Sequence, residues 1–336
     1  MSAKGPLDDT SEDPLPTLPT IFDTKTCINK GRCPVTRIRN QDETLESHSL
    51  YYEVHGTGRE KLVFVMGLNS SSFAWLGQVQ HFGKLSEYSV LVFDNRGVGH
   101  SSVPRGPYTT SGMAEDAIVL LDYLGWTQNR ELHVVGISLG GMISQELATR
   151  IPERIASLTL AVTTPGGLPW SNLPPWKGFI SLAKLTFITD VDLKIPLILD
   201  MLYPLQWLDE PAEGDNEGRT NREVQTEVYR QRISITAPQR LVGALSQMSA
   251  ALSHHVAPQR LRTASERIPK VLILTGDEDN LVAPSNSRSL KSCMPDAELE
   301  EWTGTGHSIH VQRNKQFNQL LERVFKEGRR KAEPKE

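Results

Sequence analysis

The stretch Val134-Val135-Gly136-Ile137-Ser138-Leu139-Gly140-Gly141-Met142 decides the fold. Leu132 to Val135 is a short apolar run, as expected of a buried strand. It breaks at Gly136, and after Leu139 the residues Met142, Ile143, Leu147 and Ala148 set a helical pattern. The result is strand, sharp turn, helix, with Ser138 at the turn. A serine hydroxyl attacks a carbonyl only when it projects clear of its neighbours, and a strained turn provides that projection. Glycines two residues to either side let strand and helix pack close to it. The same turn puts the Leu139 amide near the helix start, where an oxyanion could be stabilised. The pattern Gly-x-Ser-x-Gly in this context marks Ser138 as a candidate nucleophile.

Composition narrows the classes around that stretch. A chain of 336 residues with 38% hydrophobic content can bury a sizeable core in one large α/β domain or two ordinary ones. Basic and acidic residues nearly balance (36 against 40), so nothing suggests a nucleic-acid partner. Cys27, Cys33 and Cys293 are too few and scattered for a disulfide framework and suit a reducing compartment. Cys27 and Cys33 could pair or share a metal, but histidines at ligand spacing are missing nearby, so unremarkable thiols are expected. No apolar run approaches the roughly 18–20 residues of a membrane span. The acidic, proline-rich N-terminus lacks the order of a signal peptide, and the cytoplasm is the expected location.

Taken in order, residues 1–24 hold four prolines and few large apolar residues and are expected to be a disordered tail. Strands are expected near Cys33–Ile38 and Ser49–Val54, then over Lys61–Met66, Tyr88–Phe93 and Ile155–Val162, besides the strand before Ser138. Helical patterns follow Gly67–Ser72 and cover roughly Thr110–Leu124. This alternation predicts an α/β fold with a mostly parallel sheet covered by helices on both faces. Ligands bind such sheets at the carboxyl ends of the strands. Ser138, Gly67–Asn69 and the glycine loop Asp94–Ser101 all lie at such ends. In that loop Asp94 and Arg96 are expected to brace the backbone.

The rhythm stops from about residue 164 to 267. That block carries prolines, Trp170, Trp176 and Trp207, helical segments near Phe179–Ile188, Ile195–Leu202 and Thr236–Leu252, and a polar loop at Asp209–Arg222. An apolar insertion entered from a strand end suits a lid over the active face. Asn69, Trp170, Trp176 and Trp207 are candidate substrate contacts. The expected organisation is therefore tail 1–24, core 25–163, helical lid 164–267, core 268–327 and charged tail 328–336, with fraying from Lys326.

Serine needs a base titrating near neutrality, and that base needs a fixed tautomer. His307, in the glycine-rich loop after the expected last strand (Ala297–Trp302), is well placed as base. The loop after strand Lys270–Thr275 offers Asp277, Glu278 and Asp279. Asp279 stands three residues past Gly276, with room for a turn that aims it back along the face, while Asp277 suits a turn-forming role. His310 is expected to pack under its loop, His254 and His255 to be exposed or capping, and His100 to belong to its glycine loop.

From about residue 49 to 325 the chain resembles the α/β-hydrolase superfamily. The matching motifs are Met66-Gly67-Leu68, Asp94-x-Arg96-Gly97-x-Gly99-x-Ser101, Gly136-x-Ser138-x-Gly140-Gly141, Gly276-x-x-Asp279 with Val282 and Pro284 beyond, and Gly304-x-Gly306-His307. The resemblance implies Ser138 as nucleophile, His307 as base, Asp279 as its orienting acid, and the Leu68 and Leu139 amides as oxyanion hole. Within the superfamily the chain looks most like the lidded esterase and enol-lactonase branch. Met66 and Ile137 depart from the histidines common at those places. A serine nucleophile argues against epoxide hydrolase or haloalkane dehalogenase chemistry.

The expected activity is metal-free and cofactor-free hydrolysis of a small or medium apolar carboxylic ester or lactone. The same groups could serve carbon–carbon or thioester hydrolysis or acyl transfer to an alcohol. A non-catalytic receptor or scaffold on the same fold is the alternative from another class.

Overall fold

The structure is a computed structural model that describes residues 18–37, 46–167, 172–188 and 190–333. Its sheet begins with an antiparallel pair, β1 (Cys27–Arg37) and β2 (Glu46–His55). The apolar runs of the sequence supply β3 (Glu60–Val65), β4 (Tyr88–Phe93), β5 (Leu132–Ile137), β6 (Ile155–Ala161) and β7 (Lys270–Gly276), and β8 (Glu298–Trp302) closes the far edge. The order across the sheet is β1-β2-β4-β3-β5-β6-β7-β8. From β4 to β8 all neighbours are parallel, and β2 meets β4 antiparallel. Strand order reverses at β3, which lies between β4 and β5, so the loop leaving β3 turns to one face of the sheet and the loops leaving β4 and β5 to the other, and a crevice opens there.

Helices α1 (Leu76–Phe82), α2 (Thr110–Tyr123) and α3 (Leu139–Arg150) follow β3, β4 and β5. Between β6 and β7 come α4 (Trp176–Phe187), α5 (Val191–Leu202), α6 (Leu205–Asp209), α7 (Asn221–Ile235), α8 (Leu241–Leu252) and α9 (Pro258–Arg267). The chain continues with α10 (Pro284–Cys293), then α11 (Ile309–Gln312) and α12 (Asn314–Ala332) after β8.

Successive strand residues point to opposite faces, and two apolar layers result. Val63, Val65, Val134 and Leu158 pack in the layer that includes Leu120 of α2, Leu147 of α3, Leu261 of α9 and Leu290 of α10. Leu62, Phe64, Val135 and Leu272 pack on the other side with Phe82 of α1 and Phe317, Leu321 and Phe325 of α12. Each fully buried Leu or Phe contributes ~1.5–3 kcal/mol relative to exposure. Residues of α5 and α6 form a third, smaller cluster around Ile195, Leu199, Tyr203 and Leu208.

Several expectations are corrected. Residues 18–24 are not a loose tail: Phe22 is buried against His55 and Phe73, and Thr20 donates to Glu53 Oε1 at 2.7 Å. Residues 1–17 lie outside the described residues. The first strand starts at Cys27 rather than Cys33, held by pairing with β2 although its sequence is polar. The charged C-terminal stretch continues α12 to Ala332. Gly328 packs against the Ala156 carbonyl, Arg329 pairs with Glu60, and Arg329, Arg330 and Lys331 complement the negative end of the helix dipole. Helix α7 was not expected from its polar sequence. It starts with a reciprocal cap, Thr220 accepting from the Glu223 amide while Glu223 accepts from Thr220 N. All three cysteines are free. Cys27 and Cys33 lie six residues apart on one strand, about 20 Å, too far to bond.

Candidate active site

Ser138 sits between β5 and α3 with φ 56° and ψ −123°. That left-handed backbone is costly for a residue with a Cβ and persists only where its surroundings enforce it. The enforcement is visible. Ser138 N donates to Ala161 O (3.0 Å), its carbonyl accepts from Gly141 N (2.9 Å), Met142 N (3.1 Å) and Thr163 Oγ1 (2.8 Å), and the side chain stays partly exposed. The flanking glycines are steric requirements. A Cβ on Gly136 would stand 2.4 Å from Gly140 O, and one on Gly140 only 2.0 Å from Val65 O. Val162, another residue at positive φ (43°), marks the next strand end. Neither Val162 nor Thr163 carries a sequence signal.

The loop after β3 comes directly against the elbow: a Cβ on Gly67 would lie 3.0 Å from Ser138 Cβ. Side chains from elsewhere fix this loop. Asn95 Nδ2 donates to Met66 O (2.8 Å), Asp94 Oδ1 accepts from Ser72 N (2.7 Å), and Asn69 N donates to Gln247 Oε1 of α8 (2.8 Å). The Leu68 and Leu139 amides take no part in these bonds. Gln247, fully buried, also donates to Arg96 O at 2.8 Å, so one amide side chain ties the loops after β3 and β4 together. Sequence reading missed Gln247, because a lone glutamine in an apolar helix carries no local signal.

Asp94 and Arg96 brace their loop separately. The second Asp94 oxygen accepts from His100 N (2.7 Å), and the Arg96 guanidinium pairs with Asp116 of α2 and covers the Tyr108 ring. Burial holds the Asp94 carboxyl above its ordinary range despite those amides.

Of the three acids after β7, Asp277 and Glu278 are exposed and Asp279 is buried. Asp279 Oδ1 accepts from the amides of Leu281 (2.7 Å) and Val282 (2.9 Å), and Oδ2 accepts from His307 Nδ1 at 2.8 Å. A carboxylate can only accept, so the ring proton lies on Nδ1 and Nε2 is left as acceptor. Asp277 accepts from Thr305 N (3.3 Å) and so holds the loop that carries His307.

Backbone bonds extend the sheet past its strand ends. Ser138 N reaches Ala161 O, Val162 N reaches Leu274 O (2.8 Å), Asp277 N reaches Trp302 O (3.1 Å) and Glu278 N reaches Thr305 O (3.0 Å). The loops carrying Ser138, Asp279 and His307 therefore hang from one hydrogen-bonded edge.

The remaining histidines have other settings. His310 is buried on Trp75, with ring centroids 4.8 Å apart, and burial lowers its pKa to about 3. His254 is buried, not exposed, bonded through Nδ1 to Thr110 Oγ1 (2.9 Å) and lowered to about 4 by burial. His255 is exposed, and His100 stays within its glycine loop. Of the expected substrate contacts, Asn69 accepts from Gln239 Nε2 (2.9 Å). Trp207 stacks on Tyr203, and Trp176, 74% exposed, stacks on Phe179. Trp170 lies outside the described residues.

The insertion reaches the loops after β3, β4, β7 and β8. A Cβ on Gly178 of α4 would meet Asn280 O at 2.0 Å, and one on Gly306 would meet Leu202 O at 2.6 Å. Arg232 of α7 donates to Ser70 Oγ (2.8 Å), and Gly243 of α8 abuts Gly97. Among the described residues one cluster has metal-ligand chemistry, Cys27 with Glu53 and His55, and it lies on the outer strands.

The strand order and the serine at the strand-to-helix turn define an α/β-hydrolase. Residues 61–313 match the alpha/beta hydrolase fold family, and the chain belongs to it. It is similar to a protein of Caulobacter segnis provisionally named carbamate hydrolase RutD, with 30% identity over 80% of this chain and 94% of that one. It is also similar to 3-oxoadipate enol-lactonase 2 of Acinetobacter baylyi, with 36% identity over 36% of this chain and 43% of that one. In fold it matches the crystal structure of the enol-lactonase from Burkholderia xenovorans, with a TM-score of 0.65 and 21% identity over 83% of this chain and 97% of that one. No described helix is long and apolar enough to cross a membrane.

Proposed function

We propose that this α/β-hydrolase is a serine hydrolase that cleaves a small or medium apolar carboxylic ester or lactone through an acyl-enzyme. The observation that carries the proposal is the buried Asp279–His307 pair (2.8 Å) on the same strand-end edge as Ser138 in its strained turn. His307 Nε2 takes the hydroxyl proton as Ser138 Oγ attacks the carbonyl carbon. Asp279 keeps the proton on Nδ1 and stabilises the imidazolium that forms. The Leu68 and Leu139 amides receive the oxyanion, each such donor contributing ~10²–10³ in rate. The imidazolium returns its proton to the leaving alkoxide. His307 then activates water, and the acid departs.

Residues 164–267 act as a lid in this proposal, with α4–α8 as its covering part, since α9 buries Leu261 and Ala264 in the main core. Support comes from the contacts of α4, α7 and α8 with the loops of the active edge. Apolar side chains on the insertion favour an apolar acyl or alcohol group. The free cysteines support a cytoplasmic location. A carbamate is the second substrate class, favoured by the provisional name of the Caulobacter relative and reached by the same attack on a carbonyl.

Fluorophosphonate labelling of wild type and Ser138→Ala, alongside hydrolysis of p-nitrophenyl acetate, butyrate and octanoate, tests the proposal. Wild type is expected to label and turn over, and the variant to lose both, with rates at least ~10³-fold lower. A folded wild type that neither labels nor hydrolyses any ester overturns it. Parallel turnover of a p-nitrophenyl carbamate separates the two substrate classes.

A further inference from the structure

The outer strands hold a group of side chains that the hydrolase chemistry does not use. Register pairs Cys27 of β1 with His55 of β2, and Glu53 lies two residues before His55 on the same face. Cys27 Sγ, a Glu53 carboxylate oxygen and a His55 ring nitrogen all lie within 4.8 Å of one another. Three strand spacings separate β2 from β5, about 14 Å, so the group is distinct from the Ser138 edge.

The hydrogen bonds around this group leave two buried atoms facing each other without partners. Glu53 Oε1 is satisfied by the hydroxyls of Tyr51 (2.6 Å) and Thr20 (2.7 Å). Glu53 Oε2 and His55 Nε2 have no hydrogen-bond partner, and both residues are fully buried. The two atoms stand 3.5 Å apart. Thr26 Oγ1 lies 2.9 Å from both Asp23 O and His55 Nδ1. With its hydrogen given to Asp23 O, it accepts from Nδ1, and a bare Nε2 lone pair then faces a carboxylate oxygen. A cation between these two buried acceptors satisfies both.

We propose that Cys27, Glu53 and His55 bind one divalent transition-metal ion, Zn²⁺ foremost, with the fourth position open to water. Thiolate, imidazole and carboxylate are the zinc donor set, at bond lengths of about 2.0–2.3 Å. Neighbouring vertices of such a tetrahedron lie about 3.4–3.7 Å apart, and the Glu53–His55 separation of 3.5 Å already matches. Thr26 on the far ring nitrogen and Tyr51 and Thr20 on the second carboxylate oxygen orient the ligands as outer partners do in metal sites. Half-buried Cys27 gives the ion a path in. A bound ion would clip the first strand to the second.

The test titrates the chelator-treated full chain with Zn²⁺ against a chromophoric competitor, and with Co²⁺ as optical probe. Expected are one equivalent of Zn²⁺ and a cobalt–thiolate charge-transfer band. Cys27→Ser should lose the band and weaken Zn²⁺ binding at least ~10-fold, and His55→Gln should weaken it similarly. Cys33→Ser and Cys293→Ser should change neither. Zn²⁺ should raise the melting temperature of wild type but not of Cys27→Ser, which tests the site even if His55→Gln folds poorly. Absence of the band, or Zn²⁺ affinity unchanged by Cys27→Ser, overturns the proposal and leaves a proton as the cation between Glu53 and His55. Ester hydrolysis plays no part in any readout, so this outcome is independent of the proposed activity.

Discussion

The sheet and the helical insertion use their apolar side chains differently. Every residue of β4, β5, β6 and β7 is buried. In the insertion, Trp176 and Phe187 are 74% and 85% exposed, and Leu193, Leu205, Leu241 and Val242 are exposed as well. Apart from Ile28 and Tyr123, all exposed large hydrophobics among the described residues lie between Leu173 and Leu245. The insertion owes its position less to an apolar interface than to close backbone approaches and single side chains such as Gln247 and Arg232. Two-sided burial fixes the sheet, whereas the insertion is attached at points and keeps apolar surface free. The lid proposed above, which would admit an apolar substrate, needs that combination.

The widest gap between the two regions should appear in catalysis. Asp279→Asn should lower kcat/KM for p-nitrophenyl butyrate by ~10³–10⁴-fold with the melting temperature nearly kept, since the amide no longer enforces the Nδ1 proton on His307. A loss under tenfold would remove Asp279 from the chemistry. Gly140→Ala should destabilise by more than ~3 kcal/mol in urea unfolding, because its Cβ meets a carbonyl oxygen of β3 rather than a movable side chain.

Gln247→Ala crosses the boundary between the regions. It frees the Asn69 amide and the Arg96 carbonyl at once, so kcat should fall ~10–100-fold while KM changes little. Equal losses in stability and rate would make it a packing residue only.

Stability toward acid sharpens the comparison further. His310, beneath the β8 loop, and His254, at the end of the insertion, are held neutral when folded, with pKa values lowered from 6.5 to about 3 and about 4. Below pH 6.5 the unfolded chain takes up protons that the folded chain refuses, so stability falls as pH drops from 6.5 toward 4. The slope is up to about 1.4 kcal/mol per pH unit for each histidine. His254→Gln should flatten urea midpoints across that window. The smallest effect belongs to the insertion surface: Trp176→Ala should change stability by less than ~0.5 kcal/mol and raise KM for octanoate more than for acetate.

The buried strands were legible because burial on both faces writes a short apolar run, and all five lie within a residue or two of their expected limits. Ser138 was legible because its turn needs glycines at fixed offsets. Asp279 was singled out by loop spacing, and it is the one buried acid of its loop. What escaped depends on partners far along the chain. β1 starts early because β2 pairs with it, Phe22 anchors residues 18–24 through His55 and Phe73, and α12 runs on through Glu60 and Ala156. Gln247 bonds to residues more than a hundred positions away. Cys27 lacked a histidine at ligand spacing because strand pairing supplies His55 from 28 residues on.

The backbone bonds that continue the sheet past its strand ends have a consequence for amide exchange. Ser138 N and Val162 N are tied into the most buried strands, so they should exchange with solvent only through global unfolding. The point-attached helices α4–α8 should exchange through local opening and lose protection sooner on warming. Labelling by a fluorophosphonate would then persist up to the main calorimetric transition, after the insertion has begun to open.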